Sequence, residues 1–451
     1  FMPRKAMAAQ KGVRANGTGM KHPYTVDGAP VAFIQDRNRD GSIVASDGDR
    51  VYLYVGMRRG GKAYYAFDVT NPEGPRLMWT IDKGGDFGEL GYTFSNPRVG
   101  LVNTANGPLP VVMFAGGYDM NKDTRGSVGT DDSEGNAIYV VNAETGDLVW
   151  KAVQGGGGGG ATVFEHPRLT DSIPSTLAAA DTDGDGFTDR LVVGDTGGNV
   201  WRADIQGPDT ANWKLTLLAS LGRHGTGASG IDSDRRFFHR PDLVPSKDGN
   251  GMFDAVVIGS GNRPDPLDIG GMNTNFAFMI KDRHVAPGSG VDENLQLGDL
   301  GDVTSNCLQS DSPCTVDLTN GWRLMLTEPG EKVLATPLTI TGKVFFTTYL
   351  PQASTGATAC TPSEGGGRLY AVALQNATAV INYDTSDDDA NNPDAPSTVS
   401  DRSVELQSLG IPAEVVSVPP NKILRPDLQI DNLDATTRWR TFWYLAEDED
   451  L

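Results

Sequence analysis

The chain has 451 residues, of which 38% are hydrophobic and 21% are charged, a balance typical of a folded protein rather than a disordered one. Its 58 acidic and 38 basic residues give a formal charge of −20, which argues against nucleic acid as a partner, because phosphate contacts need clustered Lys and Arg. No apolar run approaches the length of about 18 residues that predicts a membrane span.

The amino-terminal segment predicts a short helix. Its first 13 residues, including Met7, form the one window with weak helical periodicity. The chain begins with Phe1 rather than Met and lacks an apolar signal core. We therefore expect that a signal peptide or an amino-terminal region of the full-length protein has been removed.

The rest of the chain reads as short strands separated by glycine-rich turns. One pattern recurs, in which an apolar strand ends near Gly and an aromatic-bearing strand follows, and its copies begin at Val51, Val111, Leu191, Ala255 and Val344. Irregular spacing with a constant strand core is expected of small antiparallel sheets with long loop insertions. The pattern predicts an all-β fold across residues 1–451, a single β-propeller with irregular blades, of which five copies are visible and diverged ends would supply one or two more.

A first acidic loop precedes the Val51 copy of the pattern. Its oxygen-bearing side chains fit the spacing of a twelve-residue calcium loop, and they belong to Asp36, Asn38, Asp40, Ser42 and Asp47. Two arginines lie inside the loop, and Asp stands where calcium loops usually have Glu. The sequence therefore predicts a second, weaker calcium site here.

The 56–62 segment matches the phosphate-loop string GxxxxGK. The position that needs Ser or Thr for magnesium holds Ala63, and a strand rather than a helix is predicted to follow. Without a helix amino terminus, the backbone cannot cradle a phosphate. We expect a turn here with no phosphate-loop function.

The sharpest motif is the acidic loop at residues 181–189. Its carboxylates occupy positions 1, 3, 5 and 9, a glycine at position 6 permits a sharp turn, and the carbonyl at position 7 supplies a further oxygen. The predicted ligands are Asp181, Asp183, Asp185, Phe187 (through its carbonyl) and Asp189. Strands flank the loop, so we expect Ca²⁺ at a hairpin tip, with a solvated acidic turn as the alternative. A similar loop at 246–254 has lost the first carboxylate and is expected to keep only the turn.

Catalytic residues are not predicted. The five histidines are scattered and form no HExxH motif, and no GxSxG motif occurs. His239 lies in the densest aromatic and basic cluster, residues 235–242, where it could line a ligand pocket or serve a structural hydrogen-bonding role.

Two further segments predict a possible disulfide and an exposed acidic stretch. Cys307 and Cys314 flank a short polar loop and could form a disulfide if the protein is exported, and three unpaired thiols are the alternative. Residues 383–404 are acidic and contain Pro, which is typical of an exposed loop or a linker.

Together these motifs resemble the carboxy-terminal propeller domain of the PilC/PilY-type type IV pilus biogenesis factors. The resemblance rests on residues 49–62, on the 181–189 loop with the GGNxWR motif at 197–202, on 259–263 and on 321–348. It implies a seven-bladed propeller with calcium at Asp181, Asp183, Asp185 and Asp189. It also implies roles in pilus assembly, control of extension and retraction, twitching motility, adhesion and surface sensing.

The same resemblance implies an extracytoplasmic location, at the pilus tip or fimbrium, outer-membrane-associated or secreted. The implied partners are pilins and minor pilins, together with a host or abiotic surface ligand that the sequence does not identify. Two alternatives remain. Residues 144–150 resemble repeats of quinoprotein dehydrogenases, although the adjacent disulfide-forming cysteines of that family are missing. A calcium-stabilised scaffold without any link to pili is the other.

Overall fold

The structure is a computed structural model that describes residues 2–15, 17, 24–123, 127–228, 230–269, 273–305, 315–352, 364–387 and 398–433. One α-helix, α1 (Arg4–Ala15), occupies the amino-terminal segment of this part of the chain, as the sequence predicts. Its Ala6 is buried against Met57, Ala63 and Tyr65, so the helix is attached to the first sheet.

The first two sheets, here called blades 1 and 2, are each formed by strands that follow one another in sequence. Blade 1 contains β1 (Val31–Gln35), β2 (Arg50–Gly56), β3 (Ala63–Asp68) and β4 (Arg76–Asp82). Blade 2 contains β5 (Arg98–Thr104), β6 (Gly107–Ala115), β7 (Ala137–Asn142), β8 (Leu148–Gln154), β9 (Gly158–Gly159) and β10 (Val163–His166).

Blades 3 and 4 repeat this meander and add short strands at their outer edges. Blade 3 contains β11 (Ala178–Ala180), β12 (Arg190–Gly194), β13 (Asn199–Asp204), β14 (Lys214–Ser220) and β18 (Leu295–Gln296). Blade 4 contains β15 (Asp242–Asp248), β16 (Gly251–Gly259), β17 (Phe276–Asp282), β19 (Gly301–Asp302) and β20 (Gly321–Met325).

The carboxy-terminal third of the described chain forms blade 5 and a small sheet. Blade 5 contains β21 (Lys332–Val333), β22 (Leu338–Ile340), β23 (Lys343–Leu350), β24 (Gly366–Ala373) and β25 (Ser403–Leu406). The small sheet contains β26 (Val416–Val418), β27 (Lys422–Leu424) and β28 (Ile430–Asn432). Short 3₁₀ turns lie at Ala45–Asp47, Met120–Asp123, Thr210–Asn212, Ile231–Ser233, Leu297–Asp299, Thr385–Asp387 and Ser400–Arg402.

The blades stack face to face because their central strands are apolar on both sides. On β6, Val112 and Phe114 pack in a cluster shared with blade 1, whereas Val111 and Met113 pack in a cluster shared with blade 3. Successive side chains of a strand point to opposite faces, so each central strand contributes to two cores. The same division on β16 explains why the run 255–258 does not alternate in hydrophobicity.

The inner-edge strands of neighbouring blades lie side by side, which places them at the propeller axis. β1 contacts β5, β11 contacts β15, and β15 contacts β22, which pairs with β23 as β21 does. At the last of these contacts, the Thr339 backbone N–H donates to an Asp242 carboxylate oxygen at 2.6 Å.

The propeller prediction is confirmed, and the repeat copies found in the sequence begin within the strand next to the inner edge of each blade: β2, β6, β12, β16 and β23. The repeats predict five blades with one or two more, and the family resemblance implies seven; within the described residues there are five blades and the small sheet. No helix in this part of the chain is long and apolar enough to cross a bilayer.

Some expectations concern residues outside this part of the chain. Cys307 and Cys314, and with them the predicted disulfide, lie outside the described residues. Of the acidic 383–404 segment, the structure describes both ends. The buried Asp401 carboxylate accepts backbone hydrogen bonds from Asp384 at 3.0 Å and from Thr398 at 3.0 Å, which ties the two ends together.

Candidate metal centre

The 181–189 loop lies at a hairpin tip, as predicted. It joins β11 to β12, whose last pair is Ala180 with Arg190. The Asp189 backbone N–H donates to the Ala180 carbonyl at 3.0 Å. The loop also rests on the neighbouring blade, because the Thr188 N–H donates to the Leu101 carbonyl of β5 at 2.7 Å. Hydrogen bonds within blade 3 and to blade 2 therefore fix the position of the hairpin tip.

Side-chain carboxylates organise the turn by accepting backbone hydrogen bonds. Asp181 accepts from Gly184 N at 2.7 Å and from Gly186 N at 2.9 Å. Asp183 accepts from the Asp185 N–H at 3.2 Å, and Asp185 accepts from the Phe187 N–H at 2.9 Å. Gly184 and Gly186 adopt φ of 83° and 90°, values that favour glycine. The loop therefore forms the sharp turn that the motif predicts.

Three of the four predicted carboxylates converge. Asp181, Asp183 and Asp189 each place one oxygen within 4.8 Å of the others. Asp189 is buried and the other two are exposed. Burial, reinforced by the charge of Asp183, raises the pKa of Asp189 although the N–H and hydroxyl of Thr182 donate to its carboxylate. Asp185 lies outside this trio, and its carboxylate is engaged with the backbone of the loop.

The 36–47 loop occupies the corresponding position in blade 1 and repeats the same bonds. It joins β1 to β2. Asp36 accepts from the Gly41 N–H at 2.7 Å, as Asp181 does from Gly186. Asn38 accepts from the Asp40 N–H at 3.2 Å, and Asp40 accepts from the Ser42 N–H at 2.7 Å. The 36–47 and 181–189 loops therefore share one pattern of hydrogen bonds although their sequences differ.

The structural counterpart of Asp189 in blade 1 is Asp49, which the spacing argument missed. Each is the residue immediately before the second strand of its blade, and each accepts from the second residue of its loop, Asp49 from the Arg37 N–H at 2.8 Å. Asp49 is fully buried, and backbone bonds from Val44 and Arg37 lower its pKa. The predicted ligand Asp47 is exposed and accepts from the Asn38 amide at 3.4 Å.

In the 246–254 segment, basic side chains contact the carboxylate of Asp248. It forms the tight β15–β16 hairpin, and Asp248 accepts from Lys281 Nζ at 2.8 Å and from Arg283 Nη2 at 2.8 Å. These hydrogen bonds, from Arg283 first and then Lys281, hold the Asp248 pKa well below its usual range. The turn expected of this third loop is present.

Two other groups of carboxylates and histidines occur among the described residues, and basic side chains neutralise both. In the first, Asp171 contacts His224 at 2.6 Å, Lys122 at 2.6 Å and Arg223 at 2.7 Å. Burial alone would raise the Asp171 pKa, but the His224 bond and the two positive charges lower it overall.

The second group joins blades 3 and 4 at the end that carries the 181–189 loop. His284 contacts Glu293 at 2.9 Å, and the neighbouring Asp282 contacts Arg202 at 2.6 Å. Arg202 belongs to the GGNxWR motif, whose Trp201 Nε1 donates to the buried Asp195 at 2.7 Å. The motif therefore stabilises the core and the blade interface.

A sequence model of the PilY1 beta-propeller domain matches residues 6–220. The crystal structure of the Pseudomonas aeruginosa PilY1 C-terminal domain aligns with a TM-score of 0.62 and 19% identity, over 91% of this chain and 84% of that domain. The resemblance to PilC/PilY-type propellers is confirmed. A type IV pilus biogenesis factor PilY1 homolog from Xylella fastidiosa is 26% identical over 368 residues, which are 78% of this chain and 23% of the homolog.

A PilY1 from P. aeruginosa strain UCBPP-PA14 is 30% identical over 198 residues, which are 43% of this chain and 14% of that protein. The chain thus spans less than a quarter of the length of these PilY1 relatives. Both relatives are named as type IV pilus biogenesis factors, which links this type of propeller to pilus biogenesis.

Proposed function

We propose that this chain is the non-enzymatic, calcium-binding propeller of a type IV pilus biogenesis factor. The observation that carries the proposal is the fold shared with the PilY1 C-terminal domain, combined with a preorganised acidic loop at a hairpin tip of that fold. In the proposal, the propeller supports pilus assembly, control of extension and retraction, surface attachment, surface sensing and twitching motility.

Calcium fits the donor set of the 181–189 loop. The available groups are carboxylate oxygens and the Phe187 carbonyl, and hard divalent cations such as Ca²⁺ prefer an all-oxygen shell with flexible geometry. Asp181, Asp183 and Asp189 already face one another, and Asp185 would complete the set. Bound calcium would neutralise charges that repel one another in the free loop.

We propose a second, weaker calcium site in blade 1. Asp36, Asn38, Asp40 and Ser42 repeat the plan of the first loop, and Asp36 Oδ1 is a buried oxygen without a hydrogen-bond partner. Either Asp47, at the twelfth position, or Asp49, the counterpart of Asp189, would close this site. The buried position of Asp49 beside the loop favours Asp49.

The proposed partners are pilins and minor pilins, and the proposed location is extracytoplasmic, at the pilus tip or fimbrium, outer-membrane-associated or secreted. Deleting the encoding gene should reduce surface pili and twitching. Complementation with Asp183→Asn should restore export but alter pilus number or twitching, whereas Asp209→Asn, an exposed aspartate in a turn of blade 3, should restore both. If a variant that no longer binds calcium makes normal pili, the loop has only a structural role.

Two measurements separate the proposal from its alternatives. A quinoprotein dehydrogenase would hold a quinone and catalyse dye-linked oxidation, and we expect neither from the purified chain. A scaffold unrelated to pili would be missing from sheared pilus fractions, in which we expect to detect this chain.

A further inference from the structure

A cavity of about 460 Å³ opens at the propeller axis, at the opposite end of the strands from the two acidic loops. Its lining comes from the start of β1, from segments just before β5, β11, β15, β22 and β26, and from the segments that follow β2, β6 and β16. Although the chain carries a net charge of −20, the acidic residue of the lining is the exposed Glu414. The basic residues are Arg58, Arg59, Arg98, Arg240 and Arg263.

Among the described residues, Arg59 is the one of these five arginines with a carboxylate within 4.0 Å, namely Asp123. Arg240 lies farther from an acidic group, but its charge acts on Asp242, where it opposes the rise in pKa that burial causes. The arginines of the blade interface behave differently, since Arg190 and Arg202 are paired with buried aspartates. Unpaired guanidinium groups that converge on one cavity repel one another, so they do not stabilise the empty cavity.

Aromatic rings stand among the guanidinium groups. The Arg58 guanidinium carbon lies 5.2 Å from the centre of the Phe94 ring, and that of Arg59 lies 5.8 Å from it. Tyr118 is 5.8 Å from Phe94 and 5.8 Å from Phe238, measured between ring centroids. Stacking on rings fixes the orientation of the guanidinium plane, which prepares its N–H groups for a ligand.

The cavity also holds unsatisfied polar atoms and a strained backbone position. His239 Nε2 and Arg58 Nε are buried and have no hydrogen-bond partner. Arg58 adopts φ of 49°, a left-handed conformation that costs free energy in any residue with a side chain. Burial, then the charges of Arg263 and Arg58, lower the pKa of His239 to about 3, and burial and Arg240 lower that of Arg98.

We propose that the axial cavity binds a small anion that carries phosphate or carboxylate groups. Guanidinium groups bind both through paired N–H bonds in a fixed fork, and an anion would relieve the repulsion among the arginines. The cavity has the volume of a small-molecule site. Its ligand would approach from the opposite end of the propeller from the acidic loops, so this activity is separate from the proposed calcium binding.

Calorimetry on the full chain with two probes tests the proposal and identifies the ligand class. Inorganic phosphate represents a phosphate ligand, and benzene-1,3,5-tricarboxylate represents a carboxylate ligand that can also contact Phe94 and Phe238. We expect saturable binding of at least one probe, weakened by added salt. Arg98→Gln and Arg240→Gln should each weaken it at least about tenfold, whereas Arg76→Gln, which removes an exposed arginine paired with Asp68, should not.

Thermal melts distinguish a binding role from a structural one. If Arg98 and Arg240 serve the ligand, each glutamine variant should melt at a higher temperature than the parent without anion, because repulsion is removed, and should lose the anion-dependent rise. If they serve the fold, both variants should melt lower. Lower melting of both, no saturable binding of either probe up to about 10 mM, or binding unchanged by both variants would overturn the proposal.

Discussion

Replacing Asp183 with Asn should raise the stability of the calcium-free protein and weaken calcium binding at the same time. Asp183 belongs to two of the three carboxylate pairs in the 181–189 loop, whose oxygens lie within 4.8 Å of one another. Because the loop is largely exposed, the dielectric constant of water applies and salt screens the charges, so each pair at that distance costs about 0.5 kcal/mol at physiological ionic strength. Removing two pairs should stabilise the calcium-free protein by about 1 kcal/mol. Asn keeps the oxygen that accepts from the Asp185 N–H, so the turn should survive.

In calcium the same variant should lose stabilisation. Binding restricted to the native state contributes about 2.7 kcal/mol at a hundredfold excess over the Kd, and a tenfold weaker Kd removes about 1.4 kcal/mol of it. Urea unfolding in EDTA and in calcium, with calorimetric titration, measures both effects. Asp185→Asn removes a charge outside the trio and should weaken binding with a smaller gain in EDTA, and Asp209→Asn should do neither. A loss of stability for Asp183→Asn in EDTA, or an unchanged calcium affinity, would refute the reasoning.

Four other substitutions test the second loop, the blade interface and the cavity. Asp49→Asn should lower the calcium stoichiometry or affinity of the 36–49 loop more than Asp47→Asn does; the reverse order in calorimetry would assign the closing ligand to Asp47. Asp254→Ala leaves Arg190 buried without its partner from blade 4 and should lower the free energy of unfolding by about 3 kcal/mol, and a change under about 1 kcal/mol in urea unfolding would contradict the role of this pair. The pKa of His239 is about 3 in the folded protein and about 6.5 in the unfolded chain. The stability that the neutral imidazole contributes is therefore complete above pH 6.5 and is lost as the pH falls toward 3. Between pH 7 and pH 5 that loss is about 2 kcal/mol, and His239→Gln should remove it; identical pH profiles for parent and variant would show that the imidazole is not buried as described.

The central strands of each blade could be predicted from the sequence, and most of the strands at the inner edges could not. β6 and β16 are buried on both faces and give long apolar runs. β1 is largely exposed and does not stand out, and β11, which has three residues, is identifiable only through the acidic loop that follows it. Burial between two neighbouring blades therefore produces the pattern, and an innermost strand that meets the axis leaves little trace in the sequence.

Site residues that lie close together in the sequence could be predicted, and those that only the fold brings together were missed. The ligands of the 181–189 loop lie within nine consecutive positions, so their spacing alone identifies them. Asp49 escaped because the 36–49 loop is longer than the 181–189 loop, which moves the buried carboxylate away from the standard spacing. Arg58, Arg98 and Arg240 come from three blades, and only the closure of the propeller brings them to one cavity.

Calcium at the acidic loop and an anion in the axial cavity should bind independently. Thr176 lines the cavity and Asp181 begins the loop, and five extended residues span about 16 Å. In water, a divalent cation and a trivalent anion at that distance attract by about 1.6 kcal/mol. Screening over two Debye lengths reduces this to about 0.2 kcal/mol, a factor of about 1.4 in affinity. Titrating benzene-1,3,5-tricarboxylate with and without calcium should therefore give Kd values within about twofold, and a tenfold difference would contradict independent binding and indicate a conformational link through β11.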